Sequence, residues 1–229
     1  MNSRIVLAGV SAALIVGAGV ASAAPLTVTS YDMFNGATGS YDYRDFTYLP
    51  CPANACDTTS APLSGGLGKL TDGVSPTGSW YTYGLATPWV GWEYGVQDNT
   101  NPTVTFNFGS AKNVDSVTVW LDNTIGYGGV GLPTAVVIDG VAHTIAPDSV
   151  NPDPRPYTFT GLGLTGSSAT VQFLQNIDNG TPWVMVGEVS FDGSPTGVPE
   201  PTAWGLILLG VGVMGGALRS RRRTAAGAA

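Results

Sequence analysis

Charge is what this sequence has least of. Of 229 residues only 9 are lysine or arginine and 16 are aspartate or glutamate, 11% in all, against about a quarter in an ordinary soluble domain. Most of the basic residues sit at the ends, Arg4 near the start and Arg219, Arg221, Arg222 and Arg223 near the finish. Between Ala24 and Gly197 only Arg44, Lys69, Lys112 and Arg155 face fifteen acids, a net charge of −11. Such a surface repels phosphate and excludes nucleic acid as a partner. It suits cations such as calcium, or neutral ligands. Histidine is down to His143, set between Ala142 and Thr144 in a strand pattern, which reads as a surface strand residue. A Ser-His-Asp unit would need it, and no Gly-x-Ser-x-Gly elbow exists. Walker loops, dinucleotide fingerprints and His-Glu-x-x-His are also absent. Glutamate between Ala24 and Gly197 is limited to Glu93 and Glu188. The aspartates nevertheless leave a carboxylate pair for glycoside hydrolysis open as the lesser alternative.

Cysteine is nearly as scarce. Cys51 and Cys56 enclose four residues, and without histidine partners they cannot complete a tetrahedral zinc set. A redox pair usually encloses two residues. In an exported chain this spacing reads as a small disulfide loop that adds about 1–3 kcal/mol. Helical periodicity is missing as well. No window between Ala24 and Gly197 keeps apolar residues at i, i+3, i+4 and i+7 without a glycine or proline interrupting it.

What is present is alternation. Val104, Phe106 and Phe108 share one face of Thr103 to Phe108, and Val117, Val119 and Leu121 share one face of Val114 to Leu121, with a turn at Gly109 to Asn113 between them. Ala135 to Ile138 and Val141 to Ile145 flank Asp139-Gly140, a hairpin signal because Asp-Gly suits a type I′ turn. Tyr157 to Phe159, Ala169 to Leu174 and Trp183 to Phe191 continue the set, with Leu26 to Tyr31 and a strand near Phe46 before it. Eight or nine short strands, 32 glycines and 16 prolines predict an all-β domain over 24–197, a jelly-roll β-sandwich.

Both ends read as addresses. Arg4, the apolar run Ile5 to Val20 and Ala21-Ser22-Ala23 form a secretory signal over 1–23, cleaved after Ala23 by the Sec export route. A retained anchor is the alternative. Near the C-terminus Pro199-Glu200-Pro201 precedes an apolar run, Thr202 to Leu218, and then the arginine cluster. Seventeen helical residues span about 26 Å, enough for a bilayer core. The arginines hold the tail, including 224–229, in the cytoplasm. This order over 198–223 resembles the PEP-CTERM sorting signal of Gram-negative bacteria. The resemblance implies recognition by an exosortase, a transient inner-membrane anchor through helix 202–218, and release to the outer surface or extracellular matrix. An ordinary single-span anchor is the alternative.

The body has a resemblance of its own. Leu70-Thr71-Asp72-Gly73, Trp89-Val90-Gly91-Trp92, Val104 to Gly109 with Val114, and Gly187-Glu188-Val189-Ser190-Phe191 resemble the discoidin, or F5/8 type C, domain, a galactose-binding-like jelly roll. The likeness runs from about Gly68 to Asp192, and Ala24 to Gly66 carries no matching motif. It implies a structural calcium held by Asp72, Glu188 and carbonyls of Lys69 to Thr77. A solvated turn and an edge glutamate are the plain alternative. It also implies that Trp92 belongs to the core, and that sugars are met by loops at one end of the sandwich. Trp80, Tyr81 and Tyr83 lie between Pro76 and Pro88, so a loop offers them, with Trp89, as stacking faces for a ligand.

The expectation is therefore an exported surface protein that binds extracellular polysaccharide without catalysis. A structural biofilm or surface component without a specific ligand is the alternative. If both addresses are processed, mass spectrometry of protein extracted from the cell surface will find a start at Ala24 and no Arg219 to Arg223. Recovery of that arginine cluster in the surface form would leave a plain membrane anchor.

Overall fold

The computed structural model describes residues 23–84, 87–97, 100–148, 154–177, 180–196, 205 and 207–214. The chain divides into two units, Ala23–Thr196 in one and Met1–Ser22 with Gly197–Ala229 in the other. In the latter unit Gly205 and residues 207–214 are helical and exposed. Among the described residues no helix is long and apolar enough to cross a membrane. The secretory signal apart from Ala23, the Pro199-Glu200-Pro201 motif, the rest of 202–218 and the tail 224–229 lie outside the described residues.

Among the described residues nine strands build the first unit. They are β1 (Ala24–Pro25), β2 (Ser30–Phe34), β3 (Pro62–Gly66), β4 (Val90–Glu93), β5 (Thr103–Leu121), β6 (Ala135–Ile138), β7 (Val141–Thr144), β8 (Arg155–Leu174) and β9 (Trp183–Pro195). Described residues outside them form loops and short 3-10 turns, among them Pro52–Asp57, Lys69–Thr71, Trp80–Thr82 and Tyr127–Gly129. The architecture is all-β and sandwich-like. Every strand pairing is antiparallel, so the short alternating runs each bury one face.

β5 and β8 are long because both belong to two layers. Residues 103–107 of β5 pair with β2 and with 168–172 of β8, and β6, β7 and β3 extend this first layer. Residues 112–121 of β5 pair with 155–166 of β8 and with β9, which carries β1 and β4. The apolar faces meet between the layers, where Phe106 and Phe108 touch Phe191 at ring distances of 5.1 and 5.2 Å. Trp92 stacks on Phe173 at 6.2 Å and donates its indole N–H to the Phe34 carbonyl at 2.8 Å. The expectation that Trp92 fills the core holds.

The predicted hairpin is present, with Asp139 at φ 44° and Gly140 at φ 84°, as a type I′ turn requires. Three expectations need correction. Gly109 to Asn113 does not end the strand, because β5 runs on through it with a register shift and continues to pair with β8. The runs at 157–159 and 169–174 are for the same reason one strand. Of Leu26 to Tyr31 only Ser30 and Tyr31 lie in a strand, β2, and no strand forms near Phe46.

The segment after β2 is ordered by buried polar side chains. Asn35 is fully buried, donates to the carbonyls of Ala55 and Cys56 at 3.0 Å each, and accepts from the N–H groups of Gly36 and Asp45. Asp45, also buried, accepts from the Tyr31 hydroxyl, from Thr47 at 3.0 Å and from the Lys69 N–H at 3.1 Å. Each group left unpaired there would cost about 1–3 kcal/mol, which makes this irregular stretch as determined as a strand. A disulfide joins Cys51 and Cys56, whose Cα atoms are 5.8 Å apart.

Candidate functional site

The strand order gathers several loops at one end of the unit. β5 begins and ends there, as Asn101 before it donates its N–H to Gln175, whose amide donates to the Trp92 carbonyl, and Trp92 lies opposite Val184 on β9, two residues from Val186, the partner of Leu121. The Trp80–Thr82 turn is tied to the loop after β5. The Trp80 N–H donates to Asp122 at 2.5 Å and its indole N–H to the Thr124 hydroxyl at 3.1 Å. Tyr127 then stacks on the Trp80 ring at 5.9 Å with 27° between planes. Tyr81 meets Trp80 edge-on at 5.5 Å and Tyr127 edge-on at 5.3 Å. The turn can lie this close because residue 128 is glycine. A Cβ there would sit 2.3 Å from the Trp80 ring, and its φ is +62°.

Exposure separates these rings. Trp80 is 6% exposed and packs with Tyr43, Trp89, Trp183 and Met185, whereas Tyr81 is 44% and Tyr127 65% exposed. The expectation of Trp80 as a ligand contact is corrected. Anchored through both its nitrogens, it lies under the two tyrosines and offers no open face. Trp89 is corrected too. It is fully buried, with its indole N–H 3.3 Å from the Gly78 carbonyl. Tyr83 is half-buried, and its hydroxyl accepts the N–H groups of Thr77 and Gly78 at 2.8 Å each, which commits it to its own loop. Of the four residues expected, only Tyr81 presents a largely free ring. Tyr127 was missed. Its signal was an aromatic between glycines in Gly126-Tyr127-Gly128-Gly129, a composition no core strand tolerates well.

Beside the tyrosines lies a cleft of about 250 Å³ lined by Asn123, Ile125, Gly126, Asp148, Asn176 and Thr181 among others. Asn123 donates to the Asp148 carbonyl at 2.7 Å, and Thr181 donates to the Asn176 carbonyl at 2.6 Å. Asp148 pairs with Arg155 at 2.5 Å. Ile125 points its backbone into the left-handed region, φ 54°, an uncommon conformation for a β-branched residue and one that concentrates at binding and catalytic sites. The lining is mixed, with fixed carbonyls and amides and an apolar side chain, as small polar ligands require.

Three further carboxyl groups stand out. Asp122 is buried beneath the aromatic shelf, and burial lifts it to about 7 against the pull of the Trp80 N–H. Its second oxygen and the Tyr43 hydroxyl have no hydrogen-bond partner among the described residues. Glu188 on β9 and Asp72 after the Lys69–Thr71 turn are brought together. Glu188 accepts the Gly73 N–H at 3.2 Å, and Asp72 accepts the Val74 N–H at 2.8 Å. Burial and then the neighbouring Asp72 push Glu188 up to about 8, and burial raises Asp72 as well. The effect is one-sided, since the hydrogen bond with Glu188 lowers Asp72, but two carboxyl groups this close suit a shared cation. Among the described residues no group of three or more His, Cys, Asp or Glu gathers, so further oxygens would have to be backbone carbonyls and water.

Residues 197–223 match the PEP-CTERM protein-sorting motif. The motif implies export, a transient membrane anchor and exosortase processing, and it covers the tail alone. No curated protein is matched. Similar solved structures include the family 32 CBM from C. perfringens NanJ in complex with galactose, with 16% identity, 45% of this chain and 75% of that chain covered and a TM-score of 0.32. Truncated AlyQ with CBM32 and alginate lyase domains is 13% identical over 78% of this chain, at a TM-score of 0.38, and this chain spans 35% of its length. Chitosan-binding module 1 from the chitosanase/glucanase of Paenibacillus sp. IK-5 is 16% identical, with 46% and 75% covered and a TM-score of 0.31. Likenesses this distant decide nothing about the site.

The buried acid under the shelf gives a pH signature. Folded Asp122 keeps its proton to about 7, whereas the ordinary value is 3.8. The native state binds more protons in that window, so its stability falls as pH rises from about 4 to about 7. Asp122→Asn keeps an acceptor for the Trp80 N–H and will flatten that part of the slope. Melting temperatures across this range check it, and equal slopes in both proteins would refute it.

Proposed function

We propose that the unit from Ala23 to Thr196 is a non-catalytic carbohydrate-binding module on a jelly-roll frame. In this reading it meets extracellular polysaccharide with the loop end of the sandwich. The observation that carries this is the pair of exposed rings over buried Trp80, Tyr127 stacked on it and Tyr81 set edge-on to both. Aromatic faces stack on the C–H faces of sugars, and a ring held from below loses little freedom on binding. The cleft beside them supplies amides and carbonyls for hydroxyl groups. The low charge and the acid excess favour neutral sugars over anionic ones. Sec export, cleavage after Ala23, a transient inner-membrane anchor and transfer to the outer surface or matrix of a Gram-negative bacterium complete the proposal.

The stacking role is open to a direct test. Tyr127→Ala should lower retention by the exopolysaccharide of the producing strain about five-fold or more. Stability should change by about 1 kcal/mol or less, because the ring is largely exposed. Affinity electrophoresis and thermal melting on the same protein check both. Unchanged retention would leave a structural surface component without a ligand at this end.

We further propose that Asp72 and Glu188 hold a structural calcium. When bound, the ion would neutralise buried Glu188 and exposed Asp72 and tie the turn after Leu70 to β9. The melting temperature should rise with calcium and fall with chelator, by mass action, and Asp72→Ala should remove the difference. A wild-type melt indifferent to both additions would make the pair an ordinary turn and strand contact.

A further inference from the structure

The outward side chains of the first layer form a second feature, which the loop-end site does not use. Along β2 the residues alternate, with Tyr31 and Met33 buried and Asp32 and Phe34 facing out. In register beside them Asp32 lies opposite Thr105, and Thr103 lies opposite Gln172 on β8. With β3 on the other side, these strands floor a groove of about 680 Å³, walled at one end by Asn101. The floor crosses four strands, three gaps of about 4.8 Å, or roughly 14 Å. Its volume is that of a ligand site, and it shares no lining residue with the loop-end cleft.

The groove's chemistry is unusual for a solvent-facing sheet. Exposed faces ordinarily carry many charges, yet among the described residues the only charged side chain lining this one is Asp32. That carboxylate is fully engaged. It accepts Ser64 at 2.6 Å and the Gly65 N–H at 2.8 Å on one oxygen, and Asn107 at 3.0 Å on the other. Burial is the largest single influence on Asp32 and raises it, but the hydrogen bonds from Ser64, Asn107 and Gly65 together outweigh it and hold the carboxyl below its ordinary value. The Gln172 amide is fixed by donating to the Thr103 hydroxyl at 3.1 Å and the Asn101 carbonyl at 3.3 Å. Phe34 stands at the edge, 59% exposed. A row of oriented hydroxyl and amide groups, one open ring and a fixed negative charge fits hydroxyl-rich neutral chains and repels anionic ones.

We propose that the outward face of β3, β2, β5 and β8 is a second binding surface, separate from the loop end, for an extended segment of neutral polysaccharide. It rests on the reading of the protein as a polysaccharide binder and adds a second point of contact. One molecule then grips a polymer at two places, which raises retention by effective concentration without new contacts at either.

The test uses the exported chain and the exopolysaccharide of the producing strain, split by anion exchange into neutral and acidic fractions. Hydrogen exchange with the neutral fraction should slow at 30–34, 103–107 and 168–172. Phe34→Ala and Gln172→Ala should each lower retention about five-fold and leave the protection at 122–131 in place. Phe34→Ala combined with Tyr127→Ala should fall below either single variant. Protection at 122–131 alone would overturn the second surface and leave the loop-end reading standing. Protection on the sheet alone would do the reverse. Equal retention by the acidic fraction would overturn the neutral assignment. Protection of the sheet that grows with protein concentration in the absence of polysaccharide would show that a second copy of this chain covers it, overturning the proposal. Absence of retention on both fractions would overturn both surfaces.

Discussion

β5 and β8 pair from Thr103 opposite Gln172 to Leu121 opposite Arg155, and both layers hang on that ladder. A strand shared by two layers must change its environment midway. The register shift between Asn107 and Lys112, with Gly109 at φ 72°, is where it does so. On one side of the shift Val104 and Phe106 point inward, and on the other Val117, Val119 and Leu121 do. Because β5 turns back toward its starting end, the loops that leave both of its ends are neighbours. The candidate site exists through that neighbourhood.

The second constraint is polar. Residues 35–61, 27 in all, separate β2 from β3, and most of them have no ladder to satisfy their backbone groups. Asn35 and Asp45 take over that task from inside the fold, and Tyr48 adds to it by donating to the Tyr31 carbonyl and accepting the Gly66 N–H at 2.7 Å. Buried polar networks of this kind fix one arrangement because each member is costly to leave unpaired. Lys69 shows the same economy. It is buried, donates to the Arg44 carbonyl at 2.7 Å, lies 3.9 Å over the Phe46 ring, and is lowered to about 8 chiefly by burial.

The shelf at the loop end depends on both constraints. Tyr43 comes from the polar-ordered segment and packs edge-on against Trp80 at 6.0 Å and Trp183 at 5.5 Å. Asp122 comes from the end of β5 and fixes the Trp80 turn. The exposed rings of Tyr81 and Tyr127 are therefore supported by residues that never meet a ligand. A shelf built this way is rigid where it touches solvent, which is what stacking on a sugar ring needs.

Much of this was legible in the residues alone. Alternation at Val104 to Phe108 and Val117 to Leu121 marked the inner faces, because a strand with one buried side must alternate. Asp139-Gly140 marked its turn, because few residues accept positive φ twice in succession. The order of Pro199-Glu200-Pro201, apolar run and arginines marked the sorting tail, which is a linear signal and needs no fold. The sequence also marked the stretch from Trp80 to Trp92 as rich in rings, but not which rings face out. That depends on Asp122 and Gly128, more than forty positions away, and only the folded chain brings them to Trp80. Nor could composition show that Asn35 and Asp45 order the segment behind β2, since a polar residue looks alike in sequence whether water or a buried backbone satisfies it. Local pattern determined the strands, turns and address signals. Tertiary packing alone decided which aromatics are pillars and which are surface.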